Sequence, residues 1–309
     1  MRSLGPLEVS VVGLGGNNFG RAVDEVGTRH VVQAALDAGI NFFDTAELYN
    51  DGESERLLGR ALGSRREEIV IATKFGFSSP DTDPPGSAAN IRRAIDGSLE
   101  RLGTDYVDLY QYHRPDGVTP IEETLGALDE LVHAGKVRAI GSSQFAAERV
   151  READRVALAC DYTRFVSAQN EYSLLDRSAE HSLVPALEEL RVGLIPYFPL
   201  ANGLLTGKVR RGEPAPAGSR LERQLPPPDD PVWNRLESIA AFGEQQGVTL
   251  LEVAIGGLAA MPAVASVIAG ATSAEQVRAN AVAGEWAPSP AALAELRGAE
   301  FRHELAPPS

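Results

Sequence analysis

The chain alternates between two hydrophobic periods. Short apolar runs of strand length recur at Leu7 to Leu14, Ile40 to Asp44, Ile69 to Thr73, Tyr106 to Tyr112, Val137 to Ile140, Phe165 to Gln169, Gly193 to Tyr197 and Ala265 to Ile268. Between them lie amphipathic stretches of helical spacing, at Thr28–Ala38, Glu53–Leu62, Ser87–Leu102, Pro120–Ala134, a segment through Leu158, His181–Leu190, Val232–Gln246, Leu250–Ala260 and Ser273–Ala283. Glycine follows several of these helices (Gly39, Gly103, Gly135), and Pro120 opens one at its first turn, as helix ends prefer. Ser289-Pro290 caps a last short helix, and the tail Ala306–Ser309 is read as loose.

About eight strands, each followed by a helix, imply parallel strands with right-handed crossovers. Eight such units close into a (β/α)8 TIM barrel, and the 309 residues suffice for one. No linker interrupts the series, so residues 1–309 are read as a single domain with its core at about 4–283. The segment from Thr206 to Pro231, rich in Pro, Gly and Arg, is too long for a barrel turn and is read as a functional loop or lid. Leu7 to Leu14 runs into the glycine-rich Gly13-Leu-Gly-Gly16, followed by Asn17. This is a bare-backbone loop, but not a complete dinucleotide fingerprint.

Composition narrows the function. A net charge of −14 argues against nucleic acid as a partner. No apolar run approaches the ~18 residues of a membrane span, and no signal peptide opens the chain, so a cytoplasmic location is expected. Cys160 is the one cysteine and is read as a small buried hydrophobe.

Chemistry concentrates at strand ends. Asp44, Lys74 and His113 close the second, third and fourth strands, and Tyr49 lies five residues beyond Asp44. In a barrel all four gather on the C-terminal face. Each also has an ordinary structural explanation taken singly, but their physics fits together. A lysine ammonium lowers the pKa of a nearby phenol, and a carboxylate keeps that lysine charged. A histidine opposite orients a carbonyl. With no metal-ligand cluster or cysteine pair in the sequence, electrons for a reduction would come from a bound cofactor.

Seven motifs in order resemble those of the aldo-keto reductases: Asn41-Phe-Phe-Asp-Thr-Ala-Glu-Leu-Tyr49, Ile71-Ala-Thr-Lys74, Asp105-Tyr-Val-Asp-Leu-Tyr-Gln-Tyr-His113, Gly135-Lys-Val-Arg-Ala-Ile-Gly-Ser-Ser143, Gln169-Asn-Glu-Tyr-Ser-Leu-Leu175, Gly203-Leu-Leu-Thr-Gly-Lys208 and Gly270-Ala-Thr-Ser-Ala-Glu-Gln276. The resemblance covers Leu4 to about Asn280 and lies closest to the branch of potassium-channel β subunits and bacterial general reductases. It implies hydride transfer from a nicotinamide to an aldehyde or ketone, with Tyr49 as proton donor, Lys74 and Asp44 tuning it and His113 orienting the oxygen. It places the cofactor along Gly16, Asn17, Ser143, Gln144, Gln169 and Tyr197, then Pro199, Leu200, Gly203, Lys208 and Arg220, and finally Gly270, Thr272, Gln276 and Asn280.

Two positions depart from the pattern. Gln144 stands where many members carry Asn, and Gly270 and Gln276 stand where many NADPH-selective members carry Lys or Arg. Lys208 and Arg220 match positions that supply positive charge in the channel-subunit group, and Arg278 is a further candidate. NADPH is therefore favoured over NADH. Two alternatives remain: a sugar dehydrogenase running oxidatively, and a cofactor-sensing regulatory subunit. Channel β subunits lack a histidine at the fourth strand end, so His113 favours an enzyme. The substrate is expected to be a small carbonyl compound, no membrane partner is expected, and the chain is read as a monomer or homo-oligomer. Phe19, Phe77, Trp233 and Trp286 are candidates to line an apolar pocket, and Arg210 to Arg223 is a candidate anion-attracting run.

Overall fold

A computed structural model describes residues 1–77 and 83–298. Part of the expected Gly76 to Gly86 loop and the whole of the expected Ala306–Ser309 tail fall outside the described residues. Ten strands form among the described residues: β1 (Arg2–Leu4), β2 (Leu7–Val9), β3 (Val12–Gly15), β4 (Phe42–Asp44), β5 (Val70–Phe75), β6 (Val107–Tyr112), β7 (Val137–Ser143), β8 (Phe165–Glu171), β9 (Gly193–Tyr197) and β10 (Val267–Gly270). The helices are α1 (Glu25–Asp37), α2 (Glu53–Leu62), α3 (Ala88–Leu102), α4 (Ile121–His133), α5 (Ala147–Cys160), α6 (Ala179–Leu190), α7 (Val232–Gln246), α8 (Leu250–Glu252), α9 (Ala274–Ala283) and α10 (Pro290–Leu296). Strands β3 to β10 pair in parallel in the order β10-β3-β4-β5-β6-β7-β8-β9. The ring closes where the Leu194 amide donates to Ala263 O at 2.7 Å and the Ala265 amide donates to Leu194 O at 2.8 Å. This is the expected TIM barrel.

One expected strand is really two. Leu7 to Leu14 divides at Ser10, and Leu7–Val9 pairs antiparallel with Arg2–Leu4, a strand the pattern did not reveal. The hairpin plugs the N-terminal mouth of the barrel. Leu4, Leu7 and Val9 pack with inward-facing Phe42, Val70, Ala72, Leu109, Ala139, Ile195 and Ile268 in one buried cluster. Each of the larger side chains in it (Leu, Ile, Val, Phe) contributes about 1.5–3 kcal/mol by leaving water.

Strand alternation then fixes what lies above that layer. Two residues beyond Phe42 comes Asp44, beyond Ala72 comes Lys74, beyond Leu109 comes Gln111 and then His113, and beyond Ile195 comes Tyr197. The interior is therefore apolar below and polar at the C-terminal rim. The opposite faces of the same strands (Phe43, Ile71, Phe75, Tyr110, Tyr112) pack outward under the helices.

Other boundaries shift modestly. α1 starts earlier than expected because Asp24 caps it, accepting from the Gly27 amide at 2.8 Å. β7 extends to Ser143 and β10 to Gly270. The expected Leu250–Ala260 helix changes to π-helical geometry over Val253–Gly257, where Gly256 and Gly257 pass close to Trp286. Within the expected 206–231 loop, Arg220–Arg223 forms a short 3-10 turn. No described helix is long and apolar enough to cross a membrane.

Candidate active site

Asp44, Lys74 and His113 meet at the rim because their strands are neighbours in the sheet. Asp44 is level with Ala72, and Lys74 is level with Gln111. The Lys74 ammonium is fully buried and donates to Asp44 Oδ2 at 2.6 Å, to Thr45 O at 2.8 Å and to the Tyr49 hydroxyl at 3.3 Å. Burial works to lower the lysine pKa, but the Asp44 carboxylate and the Tyr49 phenol outweigh it and hold it above its ordinary value. The ammonium stays charged.

Asp44 has further donors from across the barrel. Gln169 Nε2 reaches Asp44 Oδ1 at 2.7 Å, and Gln111 Nε2 reaches the same oxygen at 3.4 Å. A carboxylate oxygen only accepts, so both amides must present nitrogen. Gln111 was not singled out in the sequence, and Gln169 was expected only as a cofactor contact. Period-two alternation from Leu109 and Ser167 is the signal that aims both inward.

The loop after β4 positions Tyr49. Its amide donates to Ala46 O at 3.0 Å, and the turn that follows takes left-handed angles at Asn50, Asp51 and Gly52 before α2 begins. Asn50 clamps this turn to the β3–α1 loop, donating to Phe19 O at 2.6 Å and to Asn17 O at 3.3 Å. In that loop, a Cβ on Gly16 would sit 3.2 Å from Asp44 O and 3.0 Å from the Ser54 hydroxyl, a spacing side chains rarely tolerate. Glu47 Oε1 accepts from the Gly76 and Phe77 amides at 3.1 and 3.2 Å, joining the Tyr49 loop to the loop after β5.

The Tyr49 phenol departs from the expected lowered pKa. Burial is the largest influence and raises it, Lys74 pulls it down, Asp44 pushes it up, and the net lies above the ordinary phenol value. The lysine limits a rise that burial would otherwise make larger. His113 lies edge-on to the Tyr49 ring, with centroids 5.9 Å apart and planes at 82°. Burial, then the charges of Lys74 and Arg114, push its pKa down to about 3. The imidazole is neutral near pH 7, and its buried Nδ1 has no partner among the described residues. A neutral ring offers one donor nitrogen and one acceptor.

The remaining expected residues line the same rim. Ser143 is buried at the end of β7, level with Gln169. Gln144, with φ +57°, engages the end of β6 rather than standing free. Its Oε1 accepts from Arg114 at 3.0 and 3.3 Å, and its Nε2 donates to His113 O at 3.4 Å. Tyr197 is half-buried and meets Phe198 edge-on, with centroids 5.2 Å apart. Beyond it, Phe198, Ala201 and Asn202 all take positive φ in the turn that holds Pro199, Leu200 and Gly203. Arg220 donates to Asn202 Oδ1 at 3.2 Å, and its guanidinium lies 5.8 Å from the Phe198 ring. Lys208 is exposed. At the end of β10, Gly270 faces Asn17 and Asn18. Gln276 folds back to accept from the Thr272 amide at 2.8 Å and its hydroxyl at 3.2 Å, while Asn280 is buried on α9.

The aromatic candidates divide differently from expectation. Phe19 and Trp233 are each 1% exposed within the main core, and Trp286 packs against Phe242 at 6.5 Å. Of the four, only Phe77 stands free, 57% exposed. The Arg210 to Arg223 run is partly engaged in structure, since Arg211 pairs with Glu237 at 2.8 Å.

The rim thus brings a phenol and a neutral imidazole side by side above a buried ammonium–carboxylate pair. The chain belongs to the aldo/keto reductase family, whose model matches residues 11–299, and it is an oxidoreductase. It is 36% identical to an uncharacterized oxidoreductase, YrpG, of Bacillus subtilis over 288 residues, covering 88% of this chain and 86% of the relative. It is also 36% identical to a probable voltage-gated potassium channel subunit beta of Oryza sativa subsp. japonica over 276 residues, covering 85% and 83%. A probable aldo-keto reductase 1 of Glycine max is 37% identical over 219 residues, covering 68% and 62%.

Proposed function

We propose that the protein is an NADPH-dependent carbonyl reductase in which Tyr49 is the general acid. The observation that carries this reading is the buried Lys74 ammonium, bonded at once to Asp44 and to the Tyr49 hydroxyl. When Tyr49 gives its proton to a carbonyl oxygen, negative charge develops on the phenol beside a fixed ammonium that needs no reorganisation. His113, neutral and edge-on to the Tyr49 ring, donates a hydrogen bond to the same carbonyl oxygen and orients it.

The residues present fit a nicotinamide dinucleotide. Lys208, Arg220 and Arg278 have no carboxylate within 4.0 Å among the described residues and lie on the elements after β9 and β10, a donor set suited to phosphates. Ser143 and Tyr197 would hold the nicotinamide end, and Thr272, Gln276 and Asn280 the adenosine end. Gln169 has its amide nitrogen committed to Asp44, so only its carbonyl oxygen is free to accept from a carboxamide. Bound NADPH supplies the hydride. The free cations favour NADPH over NADH, because a 2′-phosphate needs fixed positive charge. Relatives named as channel β subunits raise a regulatory role, and the neutral imidazole beside Tyr49 supports turnover instead.

The test is a fluorescence titration with NADPH and NADH, followed by an absorbance assay against aldehydes, ketones and aldoses. Tight NADPH binding with turnover is expected. Binding without turnover of any carbonyl would favour a sensing role, and no binding of either dinucleotide would overturn the site.

A further inference from the structure

Arg114 immediately follows His113 at the pocket rim, and its side chain is exposed. Its guanidinium is pinned by a neutral acceptor: Nε and Nη2 both donate to Gln144 Oε1, at 3.3 and 3.0 Å. Gln144 is itself held to this strand end through its Nε2 bond to His113 O, and it keeps a left-handed backbone (φ +57°) that costs a residue with a side chain about 1 kcal/mol or more. That arrangement places the glutamine amide against Arg114.

Among the described residues, Arg114 has no carboxylate partner. Several other arginines in the fold are tied to carboxylates, as Arg66 and Arg138 are to Asp108, Arg101 to Glu55 and Arg211 to Glu237. Among the described residues, no carboxylate lies within 4.0 Å of Arg114. A guanidinium has five N–H donors in a planar fork, and Gln144 takes only the Nε side. Among the described residues nothing else bonds the Nη1/Nη2 edge, and that edge matches a carboxylate through two parallel hydrogen bonds.

The rim also has polarity. Burial and Glu171 raise the Tyr197 phenol while Arg114 lowers it, so groups of opposite sign act on this ring. Glu171 is level with Tyr197 on the neighbouring strand β8, whereas Arg114 follows β6, next to His113. A substrate whose carbonyl oxygen sits against His113 would meet positive charge on one side and negative charge on the other.

From this geometry we propose that Arg114, positioned by Gln144, binds a carboxylate carried by the carbonyl substrate, so that the enzyme selects oxo acids over neutral aldehydes and ketones. The inference rests on the reductase reading above and names its substrate class. Arg114 determines specificity by touching the substrate's anionic end, and Gln144 is a positioning residue acting through Arg114.

The test compares 4-carboxybenzaldehyde with its neutral methyl ester, measuring kcat and KM for each with the wild type, Arg114→Met, Arg114→Lys and Gln144→Ala. Intrinsic reactivity of the two aldehydes cancels when the acid-to-ester ratio of kcat/KM is compared between variants. Arg114→Met should lower that ratio at least about tenfold, mainly through KM for the acid. Arg114→Lys should fall between, keeping charge without the fork, and Gln144→Ala should lower the ratio less than Arg114→Met does. An unchanged ratio in Arg114→Met, or an equal loss for both aldehydes, would overturn the inference while leaving the reductase reading intact. Failure of the wild type to reduce either aldehyde would overturn both.

Discussion

Lys74 binds Tyr49 and Asp44 with one ammonium, 3.3 Å from the phenol oxygen and 2.6 Å from the carboxylate. The contact sets two demands on the lysine. It must stay charged inside the protein, which the carboxylate ensures, and in the proposed reaction it must face the oxygen on which charge develops during proton transfer. In the free protein, burial keeps the phenol above its ordinary pKa, so Tyr49 is protonated and ready to act as an acid at neutral pH.

Replacing Tyr49 by Phe keeps the ring and its edge contact with His113 but removes the proton donor. Turnover should fall by about 10²–10⁴ or more, the usual worth of a positioned acid, while NADPH affinity stays within a fewfold. Steady-state kinetics alongside fluorescence titration would check this, and full activity in the variant would remove Tyr49 from the mechanism.

Asp44→Asn leaves the Lys74 ammonium buried without its counter-charge. Breaking a buried pair from one side typically costs about 3–5 kcal/mol, and the variant should lose that order of stability in urea melts together with its turnover. Lys74→Met should abolish turnover as well. A stable and fully active Asp44→Asn would show that the carboxylate has no such role.

His113 gives a pH signature. Its folded pKa of about 3 lies below the ~6.5 of an unfolded chain, so between these values the unfolded state binds the extra proton. Stability from this group is complete above the unfolded pKa and falls as pH drops through that window, by about 1.4 kcal/mol per pH unit. His113→Asn should flatten the pH dependence of urea stability between pH 6 and 4 by about one proton. Identical slopes in the two proteins would mean that the histidine is not held neutral.

Gly59 on α2 passes against the end of α3. A Cβ there would lie 2.3 Å from Leu102 O and 2.7 Å from its carbonyl carbon, and backbone cannot rotate aside. Gly59→Ala should destabilise by about 1–3 kcal/mol despite the better helix propensity of alanine, with kcat little changed. Equal or higher stability would show that the two helices have room to separate.

Much of the fold was legible because it depends on local repetition. The alternation of strand and helix patterns predicts a parallel barrel, and the position of Asp44, Lys74 and His113 at three successive strand ends predicts one pocket. Tyr49 followed from the same stretch. Helix starts were less certain where the cap precedes the apolar pattern, as at Asp24.

What the sequence alone could not determine are contacts between segments that barrel closure brings together. Gln169 and Asp44 are 125 positions apart, and only strands meeting across a shared interior make them partners. The Arg2–Leu4 strand was hidden because three residues carry too little period to read, and its role as a plug exists only once there is a barrel mouth to fill. Phe19 and Trp233 looked like pocket residues by their place in the chain, yet packing took them into the core. The resting phenol pKa likewise reflects desolvation, a quantity set by the whole surrounding fold. Local period and strand-end chemistry belong to the sequence, whereas burial and long-range pairing belong to the tertiary structure, because free energies of desolvation depend on everything that excludes water.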